Sequence, residues 1–455
     1  MVRTRQQRTA LSLGAVVLVA ALAACSGGGG GSETSAPSGG ATSEGGAPSE
    51  TSAGGTGDFS GVTLEVEATW SGAEQENFQA VLDKFSADTG AKVNYTSFGD
   101  NGATVIGTQV EGGNPPDVAV VGQPALMTQL ATAGTIKPLS DATLAEVQKS
   151  YSKDWMDLAT VDGKVYGVFF KAANKSTVWY NKDIYDQAGA TVPKTWDDFL
   201  SQLQKVADSG YAGISIGADV GWPLTDWFEN VYLRTAGGEK YDQLTKHEIP
   251  WTDPSVKDAF DVLAQLFGNA QLVEPGAVQR TFPESVTEVF GADPKAGTVY
   301  EGDFVAGNIA DDGHSTVGKN ALFYDFPSVN GSGPAVVGGG DAAIAFNDDP
   351  ATQALMTYLA SPDSASIWVP KGGLTSPNKN VDASLYPDDV SRQIAQALTS
   401  AETFRFDMSD LTPTAFGGTQ GQGFWQIMID FLGNPSDVAG TQQKLEDAAK
   451  AAYTS

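Results

Sequence analysis

Aromatic residues and carboxylates recur together where predicted strands end and predicted helices begin. Trp70 is followed by Glu74, and Trp222 is followed by Asp226 and Trp227. An indole ring can stack on the apolar face of a pyranose, while carboxylates accept hydrogen bonds from sugar hydroxyls. In open α/β sheets the ligand crevice lies beyond the carboxyl ends of the strands, where these residues are predicted to lie. The pattern therefore indicates a carbohydrate-binding site.

Two more clusters carry the same residue types, and each tryptophan also has a structural explanation. The clusters are Tyr300-Glu301-Gly302-Asp303-Phe304 and Phe424-Trp425. Tryptophan is highly buried on average, so any one of these rings could belong to a core instead of a site. Trp179 and Trp196 are flanked by predicted packing positions, which favours the core. Trp222, in a predicted loop beside a glycine and a proline, favours ligand contact.

A serine motif and the many carboxylates leave an enzymatic alternative open. Gly213-Ile214-Ser215-Ile216-Gly217 matches the G-x-S-x-G nucleophile elbow, which requires a strand, a sharp turn and then a helix. Ser215 instead lies within an apolar alternation that is followed by a predicted loop. The 55 Asp and Glu residues could supply the carboxylate pair of a glycosidase, although no spacing selects one. A surface-anchored glycoside hydrolase or esterase is therefore the second class of function.

The composition excludes several other classes of function. The 455 residues include 27 Lys and Arg against 55 Asp and Glu, for a net charge of -28. Nucleic-acid binding needs a basic surface that releases counterions from phosphates, so this charge argues against it. One cysteine cannot form a disulfide scaffold or a Cys-based metal site, and two histidines disfavour a multi-histidine centre. We therefore predict no cofactor and no metal, and His314 is typical of an exposed turn.

The first residues are typical of an export signal that ends at the single cysteine. Three arginines precede an apolar run over residues 10–23 that is too short for a membrane span. Leu22-Ala23-Ala24-Cys25 resembles a bacterial lipoprotein box, which implies a signal peptide over 1–24 and lipidation of Cys25. The Gly/Ser-rich remainder of 25–57 has no large apolar residue, so it is a predicted flexible linker.

Alternating strand and helix patterns begin at residue 62, directly after the linker. Residues 62–68, 92–98 and 115–121 are predicted strands, with helical spacing over 78–85 and 104–111 between them. This order predicts an α/β body with a mainly parallel sheet.

Later segments add a hairpin and several helices. The Asp-Gly pair within 161–168 predicts a hairpin turn, and Thr195 predicts the start of a helix. Further predicted elements are strands at 178–180 and 213–217 and helices at 226–235, 254–267, 351–359, 389–398 and 424–432.

Six segments together carry a resemblance to a known family. They are Asn114-Pro115-Pro116-Asp117-Val118, residues 161–168, Lys175-Ser176-Thr177-Val178-Trp179-Tyr180-Asn181-Lys182, Pro193-Lys194-Thr195-Trp196-Asp197-Asp198, Gly302-Asp303-Phe304 and residues 338–346. In this order, with the lipoprotein-like start, the chain resembles the extracellular solute-binding proteins of ABC importers. Within them it is similar to the sugar-binding family related to maltose-binding protein, in its α-glucoside-type branch.

The resemblance implies a fold and a way of working. The fold would be α/β, two-lobed and of the type II periplasmic-binding-protein kind, with a hinge and an interlobe cleft. Each lobe would be discontinuous in sequence, the first built from 58–172 and 326–372 and the second from 173–325 and 373–455. The sugar would favour a closed state by contacting both lobes, as is general for hinged binding proteins.

The resemblance also implies ligand contacts, partners and location. The implied ligand-binding residues are Trp70, Ser71, Glu74, Gln123, Asn174, Lys175, Trp222, Asp226, Trp227, Glu301, Asp303, Phe304, Asp341 and Trp425. The implied partners are a sugar or oligosaccharide and the permease subunits of an ABC importer, with no nucleic acid and no catalysis. The chain would be a monomer on the extracellular face of the cell membrane, held there only by the lipid on Cys25.

Overall fold

The computed structural model describes residues 57–453, and the predicted signal peptide and nearly all of the predicted linker lie outside them. The strands are β1 (Thr63–Ala68), β2 (Lys92–Ser97), β3 (Val118–Val121), β4 (Thr160–Val161), β5 (Lys164–Val165), β6 (Gly167–Asn174), β7 (Thr177–Asn181), β8 (Thr298–Tyr300), β9 (Ala321–Asp325), β10 (Val336–Ala345) and β11 (Phe404–Phe406). The helices are α1 (Gly72–Thr89), α2 (Gly102–Glu111), α3 (Pro124–Thr132), α4 (Asp141–Ser150), α5 (Lys153–Leu158), α6 (Lys182–Ala188), α7 (Trp196–Asp208), α8 (Trp222–Thr245), α9 (Pro254–Phe267), α10 (Phe282–Phe290), α11 (Val305–Asp312), α12 (Pro350–Ala360), α13 (Pro362–Trp368), α14 (Asp389–Ser400), α15 (Met408–Leu411), α16 (Thr414–Gly417), α17 (Gly423–Gly433) and α18 (Val438–Tyr453). Among the described residues, no helix has both the length and the apolar character that crossing a membrane requires.

The first lobe is built on a six-stranded sheet in the order β11-β10-β3-β1-β2, with β6 along the other edge of β10. β1 pairs in parallel with β2 and β3, as the alternation of strands and helices predicts. β10 runs antiparallel to β3 and β6, so this sheet is mixed. All four residues of β3 are buried, which is typical of a strand covered on both faces.

The second lobe is built on a three-stranded sheet in the order β8-β7-β9, in which both pairings are antiparallel. The prediction of a mainly parallel sheet is therefore wrong for this lobe. Five helices, α6 to α10, stand between β7 and β8 in the chain, so no single strand–helix–strand unit of the kind that produces parallel pairs links the two strands. The predicted strand at 213–217 makes only isolated bridges, from Ile214 to Val273 and from Ser215 to Val299 of β8.

Each lobe has its own aromatic core. In the first lobe, Trp70 packs edge-on against Phe78 with ring centres 4.8 Å apart. In the second lobe, Phe228 of α8 lies in the core with the other apolar residues of α8 and α9. Trp179 and Trp196 are 0% and 4% exposed, which confirms their predicted place in the core.

Several local signals act as predicted. Asp162 and Gly163 have φ values of 48° and 76°, the left-handed pair of a two-residue turn between β4 and β5. The Thr195 hydroxyl accepts a hydrogen bond from the Asp198 amide at 3.2 Å and caps α7. Helix α9 spans the predicted residues 254–267. Short-range chemistry therefore determines these element boundaries.

Helix α8 begins earlier than predicted and places Trp222 on a helix rather than in a loop. The predicted extent is 226–235, whereas the helix begins at Trp222 and reaches Thr245, with an interruption at Gly237 where φ is 80°. Pro223 is accommodated because the first turn of a helix needs no N–H donor. The orientation of Trp222 is therefore set by the start of the helix.

The chain passes between the lobes at several points. Lys175 and Ser176 connect β6 of the first lobe to β7 of the second, and residues 326–335 return from β9 to β10. β11 belongs to the six-stranded sheet, although the sequence places 373–455 in the second lobe. A strand of three residues is too short to show an alternating pattern, so nothing in the sequence marks this return.

Candidate ligand-binding site

A cavity of about 300 Å³ lies between the two lobes. The first lobe contributes residues that follow β1, β2 and β3, including Trp70, Phe98 and Gln123. The second lobe contributes Trp222 at the start of α8 and Phe282 at the start of α10, while residues of β6 and β10 lie between these walls. The cavity thus lies beyond the carboxyl ends of the parallel strands, where open α/β sheets bind ligands.

Nine of the predicted ligand contacts line this cavity, and five do not. Those that line it are Trp70, Ser71, Glu74, Gln123, Lys175, Trp222, Phe304, Asp341 and Trp425. The other five are buried in the protein away from the cavity surface: Asn174, Asp226, Trp227, Glu301 and Asp303.

Trp222 and Trp227 lie on the same helix but face different surroundings. At about 100° per residue, five positions separate two side chains by about 140° around a helix. Trp222 lines the cavity, with its ring centre 5.4 Å from that of Phe282. Trp227 is 1% exposed, and its ring centre lies 4.3 Å from that of Tyr300 in the second core. Helical phase therefore makes Trp227 a core residue.

Three other predicted contacts are engaged in buried hydrogen bonds. Asn174 Oδ1 accepts a hydrogen bond from the Ser176 amide at 3.0 Å. Asp303 accepts one from the Thr375 hydroxyl, and Glu301 Oε2 accepts one from the following backbone amide at 3.2 Å. These bonds hold the backbone near the junction of the lobes, so the three side chains stabilise the fold around the cavity.

Lys175 is the centre of a buried charge network beside the cavity. Its Nζ lies 3.2 Å from Asp226 Oδ1 and also contacts Asp407 Oδ2. The same ammonium is 5.5 Å from the ring centre of Trp222, within range of a cation–π interaction. Burial lowers the pKa of Lys175, but Asp226 and Asp407 outweigh burial and raise it well above its ordinary value. Lys175 therefore remains charged.

More carboxyl groups surround Lys175 than one ammonium can neutralise. Burial raises the pKa of Asp226 and of Glu229 well above their ordinary values, and that of Glu301 to about 8. Asp407 differs, because the Lys175 ammonium outweighs the effect of burial and lowers the Asp407 pKa. The network therefore surrounds the Lys175 ammonium with buried carboxyl groups, of which Asp407 is favoured in its charged form while burial disfavours the charged forms of Asp226, Glu229 and Glu301.

Three of these carboxyl groups are close enough together to be considered as a metal site. Ligand oxygens of Asp226, Glu229 and Asp407 lie within 4.8 Å of one another. Glu229, however, already accepts hydrogen bonds from two backbone amides at 2.7 and 3.0 Å. The Lys175 ammonium faces the other two carboxyl groups. The donors present suit an ion-pair network, and we assign no metal to these residues.

Lys171 on β6 is a second buried ammonium, which the sequence analysis missed. It contacts the Glu74 carboxylate, and its Nζ lies 5.8 Å from the ring centre of Trp70 and 5.4 Å from that of Phe304. Burial lowers the pKa of Lys171, but Glu74 outweighs burial and raises it. Phe304 precedes α11 of the second lobe, so Lys171 joins the two walls. A single charge within the apolar run 168–173 is the signal that could have identified it.

Several other lining residues were also missed. Phe98 and Asp100 follow β2, so the rule that identifies Trp70 after β1 could have found them. Phe282 opens α10 behind a capping box, a signal that marks a helix start but no ligand. Asp219 and Asp410 also line the cavity, and no pattern in the sequence distinguishes them from other aspartates.

Ser215 does not belong to a catalytic arrangement. It is 1% exposed, and its hydroxyl donates to Glu288 Oε2 at 2.9 Å. The two histidines of the chain, His247 and His314, face carboxylates elsewhere, and the His314 side chain is 55% exposed, as predicted. Ser215 is therefore inaccessible to a substrate and has neither histidine as its base.

The chain matches one protein family over most of its length. The family described as "Bacterial extracellular solute-binding protein" matches residues 69–366. The osmoprotective compounds-binding protein GgtB of Synechocystis sp. is 35% identical over 381 residues, covering 82% of this chain and 88% of that protein. The alpha-glucosides-binding periplasmic protein AglE of Rhizobium meliloti is 32% identical over 412 residues, covering 86% of this chain and 89% of that protein.

A solved structure has the same architecture. The bacterial solute receptor AcbH superposes with a TM-score of 0.75 over 88% of this chain and 100% of its own, at 20% identity. This likeness confirms the predicted two-lobed fold. Proteins of the matching family bind solutes outside the cytoplasm for ABC importers and catalyse no reaction. The chain therefore belongs to the bacterial extracellular solute-binding proteins and is a two-lobed receptor rather than an enzyme.

Proposed function

We propose that this chain captures a small α-glucoside or a related sugar between its lobes and delivers it to an ABC permease. The relatives support this class of ligand, because one is named for binding alpha-glucosides and another for binding osmoprotective compounds. In this proposal the lobes are the segments predicted from the sequence, with β11 and the last two residues of β6 transferred to the first lobe.

The composition of the cavity walls is the observation that carries the proposal. Trp222 and Phe282 supply apolar ring faces from the second lobe, while Glu74 and Asp341 supply hydrogen-bond acceptors from the first. Ring faces suit the C–H surface of a pyranose, and carboxylates suit its hydroxyls. The cavity of about 300 Å³ is at the small end of the range for ligand sites, which favours one or two sugar units over a long oligosaccharide.

Direct contacts across the cleft support a closing mechanism. Gln123 Nε2 of the first lobe donates to the Gly418 carbonyl at 3.2 Å, and the Thr414 hydroxyl donates to Gln129 Oε1 at 2.9 Å. Thr414 is the first residue of helix α16 of the second lobe, and Gly418 directly follows that helix. A sugar that touches both walls adds contacts available only in this arrangement, so it shifts the equilibrium toward closure.

The anchoring of the receptor belongs to the same proposal. Residues 1–24 would be removed as a signal peptide, and lipid on Cys25 would hold the protein at the extracellular face of the cell membrane. Two acyl chains give stable anchoring where one does not. The linker over 25–57 would let the monomeric receptor reach its permease. Labelling with radioactive palmitate tests the anchor, since Cys25→Ala should abolish incorporation and release the protein into the medium.

Isothermal titration calorimetry with trehalose, sucrose, maltose and glucosylglycerol tests the ligand class. We expect at least one of them to bind with an enthalpy that disappears in Trp222→Ala, and to be recovered intact after incubation. Val192→Ala, at a position 47% exposed, is the control that should bind as the unmodified chain does. Failure of every sugar to bind, or cleavage of a bound sugar, would contradict the proposal.

A further inference from the structure

We propose that Asp100 and Asp219 form a charge filter in the cleft, which admits sugars that offer hydroxyl donors and rejects anionic sugars such as sugar phosphates and uronides. The proposal deepens the function proposed above and rests on it. The two residues, called the cleft carboxylate pair below, line the same cavity from opposite lobes.

The positions of the pair are set by two different elements. Asp100 lies in the short helical turn that follows β2 of the first lobe. Asp219 lies in the segment that leads to Gly221, where φ is 101° at the start of α8. Trp222, which also lines the cavity, lies on the same wall as Asp219. The two carboxylates therefore border one cavity from opposite walls.

The pair has no basic partner within the cavity. Six carboxylates and two ammoniums line it among the described residues. Lys171 is held by Glu74, and Lys175 is held by its own ion pairs. No other lining residue is basic, so neither ammonium is available to compensate Asp100 or Asp219.

The environment of both carboxylates disfavours their charged forms. Desolvation in the cleft and the charge of Asp219 raise the pKa of Asp100, against a smaller lowering by the Trp222 indole. Desolvation also raises the pKa of Asp219; backbone amides oppose this, and Glu284 adds to it. A solute that donates hydrogen bonds to both side chains stabilises their charged forms. An anion destabilises those forms further, because it adds a like charge.

The pair also acts on the empty receptor. Closing without a solute brings uncompensated negative charges on the two walls nearer to each other, which opposes closure. A sugar with hydroxyl donors removes this opposition because it supplies hydrogen bonds to each wall. The pair therefore couples the chemistry of the solute to the closing of the lobes.

The first experiment compares trehalose with trehalose 6-phosphate by calorimetry. In the unmodified chain the phosphate should bind at least about tenfold more weakly than the neutral sugar. In the Asp100→Asn/Asp219→Asn double variant this ratio should fall at least about threefold. Asp208→Asn, an exposed carboxylate on α7, is the control that should leave the ratio unchanged. An unchanged ratio in the double variant, with trehalose still bound, would overturn the proposal.

The second experiment uses no sugar, so it tests the cleft carboxylate pair whatever the ligand is. Small-angle X-ray scattering of the ligand-free protein should give a smaller radius of gyration for the double variant than for the unmodified chain. If none of the sugars binds, the proposed ligand class is wrong. The scattering comparison then tests by itself whether the cleft carboxylate pair opposes closure. An equal or larger radius in the double variant, with an unchanged melting temperature, would overturn the proposal.

Discussion

The Lys175 ammonium lies 3.2 Å from the Asp226 carboxylate and ties the β6–β7 connection to helix α8. It also contacts Asp407, which follows β11 of the first lobe. One buried side chain therefore joins three segments at the junction of the lobes. The same ammonium faces the ring of Trp222, so the junction also positions an aromatic wall of the cavity.

Replacing Lys175 with methionine should destabilise the protein by about 3 to 5 kcal/mol. The reason is that the ionised Asp407 carboxylate would remain buried without its partner. Urea unfolding followed by far-UV circular dichroism measures the loss. Lys182→Met is the matched control, because the Lys182 side chain is 46% exposed and its removal should leave the free energy of unfolding nearly unchanged. Equal losses in the two variants would contradict the buried network.

The free energy of unfolding should fall as the pH rises from about 4.5 to about 8. The pKa of Glu301 is raised from 4.5 to about 8, and that of Asp341 is raised from 3.8 to about 6. Between these values the folded protein holds protons that the unfolded chain has released, so rising pH favours unfolding. Asp407 does not oppose the trend, because its lowered pKa affects stability only in acid.

Glu301 alone should account for a fall of about 3 to 5 kcal/mol in the free energy of unfolding over this pH range. Urea unfolding at pH 5 and at pH 8.5 measures it. Glu301→Gln should flatten the dependence, because an amide keeps the shape of the carboxylic acid and does not titrate. Equal free energies of unfolding at both pH values would contradict the raised pKa of Glu301 in the folded protein.

Trp222 and Trp227 should respond in opposite ways to truncation. Trp222→Ala should weaken sugar binding by about 1–3 kcal/mol through lost stacking and burial. Trp227→Ala should destabilise the fold by about 3–5 kcal/mol, because it opens a cavity in the second core. Calorimetry and urea unfolding on both variants separate the two effects. The assignment of Trp222 to the site is wrong if its truncation leaves sugar affinity unaltered.

Two buried indoles differ in their hydrogen bonds. Trp179 Nε1 donates to Thr177 Oγ1 at 3.1 Å and to the Gly302 carbonyl at 3.2 Å. Trp425 Nε1 is buried and has no hydrogen-bond partner among the described residues. Both Trp→Phe changes remove the same ring volume, but only Trp179→Phe leaves buried acceptors without their hydrogen-bond donor. Trp179→Phe should therefore cost about 1–3 kcal/mol more than Trp425→Phe in urea unfolding, and a reversed order would contradict this.

Local chemistry made much of the fold predictable. The Asp-Gly turn at 162–163, the Thr195 cap and the limits of α9 follow from interactions between residues close in sequence. The antiparallel second sheet and the return of β11 depend on contacts between distant segments, which no local pattern encodes. The two-lobed fold was predictable only through the resemblance of motif order to a known family.

The site was predictable where strand ends and helix starts determine it. Trp70 and Trp222 illustrate this, because each stands where one element gives way to the next. Trp227 was misplaced because residue type says nothing of helical phase. Lys171 was missed because a buried ammonium is tolerated only with a partner, and Glu74 is distant in sequence.

A crystal structure of the receptor with a bound α-glucoside would show where the sugar lies and whether it is intact. We expect an intact sugar in the interlobe cavity, with the Trp222 ring against a pyranose face and hydroxyls bonded to carboxylates of both lobes. A sugar found on the outer surface, contacting one lobe only, or recovered as cleaved products would contradict it.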